Sequence, residues 1–114
     1  MCGIIISSLK IPEKAYKFVE RRGPDETNIK EYKNINFVHF LLHLTGIKTL
    51  QPVIEDDIVC IFNGEIYNYK ELNAESKSDV YSIIFAYNKY GNEFTRYLDG
   101  EFTIVLFDFK KGTF

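Results

Sequence analysis

Hydrophobic and polar positions divide the chain into strand-like and helix-like stretches. Gly3–Leu9 is a short β-branched apolar run that predicts a buried strand, and Lys10–Pro12 breaks it. Pro12 at a first helical position, with Ala15, Phe18 and Val19 on one face and charges between them, predicts a helix through about Arg21. RRGPDET at 21–27 reads as a loop, because Gly-Pro is strong punctuation. Asn36–Thr45, rich in Phe, Val and Leu, predicts a second buried strand ended by Gly46. Ile58–Phe62 predicts a third, which runs directly into NGEIYN. Asn-Gly after a strand is ordinarily a hairpin turn, yet the YNYKELN that follows has no matching strand pattern. From Ser78 the period changes. Val80, Ile83, Ile84 and Tyr87 stand at i, i+3, i+4 and i+7, the stripe of an amphipathic helix ending at Gly91. A further helical turn around Glu93–Tyr97 precedes an alternating strand over Glu101–Phe109, and KKGT offers a turn. Only Thr113 and Phe114 follow it, so the last strand keeps an open edge and the chain reads as cut short.

Composition makes this a folded chain of one domain, residues 1–114. With 46% hydrophobic and 16% aromatic residues there is enough apolar surface to offset lost chain entropy. The net charge of −2, with acids and bases interspersed and no basic stripe, argues against nucleic acid as a partner. No apolar stretch is long enough to span a bilayer, and IIISSLKIP is too short for a secretory signal, which predicts a cytoplasmic protein. Cys2 and Cys60 do not make a disulfide framework and would remain thiols in a reducing compartment.

Charge and core leave one feature unexplained, the cysteine directly behind Met1. If Met1 is trimmed, Cys2 carries a thiol beside a free α-amine. Such groups titrate at ~8.5 and ~8, close enough to neutrality for the amine to serve as base for its own thiol. A small residue at position 2 is also common and by itself means nothing.

Four separated stretches then agree in order: MCGI at the start, RRGPDET at 21–27, NGEIYNYKEL at 63–72 and SDVYSIIFAY at 78–87. Together they resemble the N-terminal glutaminase domain of asparagine synthetase and, more broadly, the class II glutamine amidotransferases of the N-terminal-nucleophile hydrolase superfamily. LDGEFTIVLFD resembles that family's next strand. The resemblance implies an α+β fold, a four-layer αββα sandwich of antiparallel sheets flanked by helices, with the C-terminal part missing. It implies that Cys2 attacks the side-chain carboxamide of glutamine and that the Asn63 side chain and Gly64 N–H form the oxyanion hole. Glu65 and Asp79 would receive the substrate α-ammonium, and Arg22 would anchor the RGPD loop, with a salt bridge near the catalytic end. Asp79 equally suits the first turn of a helix behind an N-cap Ser78.

The family places an arginine before an apolar residue in its second core strand, to hold the glutamine carboxylate. Phe37–Thr45 has none. His43, before Leu44, takes that place in one register, and Leu41 takes it in a register with fewer gaps. His39 and His43 lie on one strand face without nearby Cys, Asp or Glu, which suits core or interface histidines better than a metal site. No cofactor is implied. Two functions follow: a Cys2-dependent glutaminase passing ammonia to a separate synthetase chain or to solvent, or a non-catalytic relic that interacts or self-associates through its open sheet edge.

Overall fold

Alternation along the strands gives each of two sheets an inner and an outer apolar face, and the computed structural model, which describes Met1–Phe114, stacks those inner faces. β1 (Gly3–Ser7), β2 (Glu26–Tyr32) and β3 (Ile35–Leu41) form one antiparallel sheet with β3 in the middle. β4 (Val53–Glu55), β5 (Ile58–Ile66) and β6 (Gly100–Asp108) form the other, centred on β5. Between them lie Phe37, Val59 and Ile61, fully buried, with Ile4, Ile6, Val105 and Phe107 packed around them. This is face-to-face sheet packing with alternate residues interdigitating.

The outer faces are covered unequally. Val53, Ile58, Cys60, Phe62 and Ile66 pack under α2 (Asp79–Tyr90), which contributes Val80, Ile83, Ile84 and Tyr87. Ile83 and Ile84 are 0% exposed, and full burial of such a side chain stabilises by ~1.5–3 kcal/mol. A single helical turn, α1 (Tyr69–Leu72), links β5 to this layer. On the other side Ile11, Val38 and Phe40 pack with Ala15, Tyr16 and Val19. The layers therefore run helix, sheet, sheet, helix, the α+β sandwich expected.

Local differences from the sequence reading have simple causes. The helix expected from Pro12 to Arg21 is two 3-10 segments, Glu13–Phe18 and Glu20–Arg22, with no buried residue, and Phe18 stays 87% exposed. Three apolar positions do not hold a full helical stripe against the sheet. Glu26–Tyr32, partly read as loop, is an edge strand whose polar side chains face solvent on one side. Asn63-Gly64 is not a hairpin turn, in keeping with the missing second strand pattern: β5 runs through it to Ile66, paired with β6 from Ile58↔Asp108 to Ile66↔Gly100, and the chain turns only at Tyr67 and Asn68. β3 ends at Leu41, so His43 is not on a strand face with His39. Glu93–Tyr97 lies in a 3-10 helix, Gly91–Tyr97. β6 pairs only with β5 along its length, apart from a bridge between Asp108 and Thr113 across the KKGT turn. No helix is long and apolar enough to cross a membrane.

Candidate active site

The inner faces of the two sheets become polar at one end, and there the site forms. On β5, Asn63 and Glu65 continue the parity of Val59 and Ile61. Cys2 continues the parity of Ile6 and Ile4 just ahead of β1. Beyond β3 the chain leaves the sheet over Leu42–Thr45 and closes the end of the layer. A cavity of about 200 Å³ results, and Cys2, His43, Gly64, Glu65 and Asp79 all line it.

Backbone contacts fix the thiol. Cys2 Sγ accepts from Leu42 N–H at 3.4 Å and lies 3.7 Å from Leu42 O. Arg22 Nε donates to Cys2 O at 3.2 Å. Arg22 therefore anchors the first strand through a carbonyl, not through the salt bridge expected of it. Its loop comes this close because Gly23 has no side chain: a Cβ there would sit 1.9 Å from Phe40 O. Asp25 completes the loop, its carboxylate accepting from His43 N–H at 2.8 Å. His43 is exposed at the cavity wall.

Gly64 has φ +142° inside a strand, and a Cβ would lie 1.9 Å from Glu101 O. Only glycine keeps β5 and β6 in register at that bend. Asn63 lies beside it with its amide nitrogen 3.9 Å from Met1 Sδ; unlike Met1, Cys2 and Gly64, it does not itself line the cavity. Thr45 Oγ1 donates to Glu65 Oε1 at 2.8 Å.

Asp79 is 9% exposed and opens α2. Burial pushes its carboxyl up, opposed by N–H groups of Ile66 and Val80 that donate to it. Ser78 occupies the N-cap position without capping: its hydroxyl accepts from Thr49 instead. Glu65, Asp79 and Glu101 all line the cavity, which contains no lysine or arginine. The field there suits a cationic group. No cluster of three or more His, Cys, Asp or Glu is disposed to hold a metal.

Glu101 and Thr45 also line the cavity and carried no candidate role in the sequence. Glu101 pairs with Glu65 across β5 and β6, and Thr45 is brought in by the loop after β3. Neither has a local sequence signal; a reliable β6 register would have found Glu101. Burial and register also separate the histidines, His39 being 0% exposed inside the layer.

The fold is thus a two-sheet sandwich with a cysteine, an Asn-Gly pair and carboxylates at one end of its inner layer. The glutamine amidotransferase domain family model matches residues 1–114, and the chain belongs to that family. It is 32% identical over 136 aligned residues to a protein of Dictyostelium discoideum named probable asparagine synthetase, glutamine-hydrolyzing, covering 100% of this chain and 24% of the relative. It is 32% identical to glutamine-hydrolyzing asparagine synthetase 2 of Oryza sativa subsp. japonica, covering 100% of this chain and 22% of that one. Against the glutamine-hydrolyzing asparagine synthetase of Zea mays it is 33% identical, with 100% and 23% covered. The chain spans about a quarter of the length of these relatives.

Proposed function

We propose that this chain, as one domain over residues 1–114, hydrolyses the side-chain amide of glutamine. The observation that carries the reading is that Cys2, the Gly64-Glu65 pair and Asp79, three separated points of the sequence, line one cavity. Removal of Met1 frees the Cys2 α-amine, which takes the thiol proton. The thiolate attacks the carboxamide carbon, and the oxyanion is received by Asn63 Nδ2–H and Gly64 N–H. Collapse of the tetrahedral intermediate, with the proton returned to the leaving nitrogen, releases ammonia and leaves a glutamyl thioester. Water then cleaves the thioester to glutamate and restores the thiol. Glu65 and Asp79 receive the substrate α-ammonium, and His43 stands nearest the role of carboxylate partner.

The ammonia would pass to a synthetase chain or to solvent, in a reducing cytoplasmic compartment that keeps both thiols free. Met1 Sδ lies 3.9 Å from Asn63 Nδ2, and in this reading the methionine obstructs that donor until it is removed. The test is glutamate release by protein with and without Met1, the mass of each verified. Full activity with Met1 in place would overturn the N-terminal-nucleophile reading. A second reading, a non-catalytic domain that binds a partner through its open edge, is favoured by the lack of any lysine or arginine in the cavity and by the unpaired side of β6.

A further inference from the structure

Four side-chain polar atoms are buried without a hydrogen-bond partner: Nδ1 and Nε2 of His39, Oδ1 of Asn63, and Oγ of Ser76. Ser76 lines a separate groove beside β4 and α2. The other three belong to two residues of the layer between the sheets, His39 and Asn63. His39 lies two residues beyond Phe37 on the inner face of β3, opposite Ile4 on β1 and Asn28 on β2. Asn63 lies two residues beyond Ile61 on the inner face of β5. Phe37 and Ile61 belong to one apolar cluster, so His39 and Asn63 are the next pleat of the same layer from its two sides. Both strands run toward the Cys2 end: Phe40 pairs with Gly3, and Gly64 lines the Cys2 cavity.

Asn63 presents its two amide ends to different surroundings. The nitrogen faces outward, toward Met1 Sδ, and the oxygen is buried. That orientation is the one an oxyanion donor needs, and it is stable only if the buried oxygen meets a donor. A neutral imidazole supplies one donor and one acceptor. Burial holds the His39 ring near pKa 4, which leaves it neutral at pH 7. Apolar side chains would give the Asn63 amide no preference between its two orientations, and the wrong one would place a carbonyl oxygen where the oxyanion develops.

We propose that His39 is a positioning residue for the amide-hydrolysing site: its ring N–H holds Asn63 Oδ1 through one buried water, keeping the Asn63 NH₂ turned toward Cys2. This rests on the glutaminase reading given above. Its geometrical half does not depend on turnover, and the two parts are separable by experiment. Buried waters require two to four polar partners, and His39 and Asn63 would supply the first two.

The test uses Met1-free protein and three variants. His39→Phe fills the ring volume without a donor and should lower kcat about tenfold or more with KM nearly unchanged, short of the ~10²–10³ expected for loss of the oxyanion donor itself. His39→Gln returns a donor and should restore most of kcat. In an Asn63→Ala background His39→Phe should cost nothing further, because the residue it positions is gone. The Asn63 side-chain NH₂ pair, followed by ¹⁵N NMR, should be sharp and slow to exchange in wild type and shifted or broadened in His39→Phe. Unchanged kcat together with an unchanged Asn63 NH₂ pair in His39→Phe overturns the proposal. So does an equal loss of kcat in the presence and absence of Asn63. Should His39→Phe not fold, His39→Gln with the wild-type NMR signals decides: an Asn63 NH₂ pair exchanging freely with solvent in wild type overturns the proposal. Wild type without glutaminase activity but with an Asn63 amide that depends on His39 would remove the function and leave the positioning contact standing.

Discussion

Cys60 lies within one of the two stacked sheets and Cys2 just ahead of the first strand of the other, and their surroundings differ sharply. Cys60 sits mid-strand on the outer face of β5, 0% exposed, beneath Ile83 and Ile84 of α2. Burial pushes its thiol far up, and the nearby Asp79 charge adds to this, so the thiol stays protonated and behaves as a small apolar side chain. Cys2 lies at the polar end of the inner layer, half-buried, with Leu42 N–H directed at its sulfur. What separates them is the position along a strand pleat: one faces a finished helix-covered core, the other the end of a layer where polar side chains replace apolar ones. In the proposed mechanism the two thiols differ through that placement and not through residue type.

Exchanging each sulfur breaks the comparison most sharply. Cys2→Ala in Met1-free protein should lower glutamine hydrolysis by at least ~10³-fold, because nucleophile removal leaves only binding and oxyanion stabilisation. Cys60→Ala should keep kcat and cost about 1–2 kcal/mol in denaturant unfolding, from the cavity beneath α2. Equal activity losses in the two variants would show that the sulfurs are not distinguished as argued.

Next in size is the oxyanion side of the Cys2 region. Asn63→Ala should lower kcat by ~10²–10³ with a smaller effect on KM, measured by glutamate release. A change confined to KM would place Asn63 in ground-state binding instead.

Acid should reach the layer behind Cys2 before the layer around Cys60. His39 titrates near 4 in the fold against 6.5 ordinarily, so the unfolded chain binds the extra proton between these values. Stability is therefore fully present above about pH 6.5 and falls toward pH 4, by on the order of 3 kcal/mol from this group. His39→Phe should flatten that part of the stability profile. The cluster around Cys60 contains no histidine. At its rim Asp108, held low by the Tyr87 hydroxyl that donates to it at 2.8 Å, gives way only below the ordinary carboxylate range.

The smallest expected effect tests the missing cation. His43→Arg would offer a bidentate partner to a substrate carboxylate, worth ~1.5–3 kcal/mol, and should lower KM by one to two decades with kcat little changed. Leu41→Arg is the control for the other register. Leu41 is 5% exposed, so this change should destabilise the fold rather than improve binding. Improved binding by Leu41→Arg with no effect of His43→Arg would reverse the assignment.

The sequence by itself determined the elements whose pattern is dense: α2 from Val80, Ile83, Ile84 and Tyr87, the strands β1, β3 and β5 from apolar runs, and β6 from its alternation. It also put forward Cys2, Asn63, Gly64, Glu65 and Asp79, whose order along the chain forms a motif set. Where few side chains are buried the pattern is thin, and the reading failed. Ala15, Phe18 and Val19 do not hold a regular helix, and Glu26–Tyr32 pairs at a sheet edge through backbone groups that carry no hydrophobic signature. The tertiary structure alone decided what Arg22 holds, which histidine is buried, and that Glu101 and Thr45 join the cavity. Those outcomes depend on sheet register and loop closure, contacts between residues distant in sequence, and no local run of amino acids encodes them.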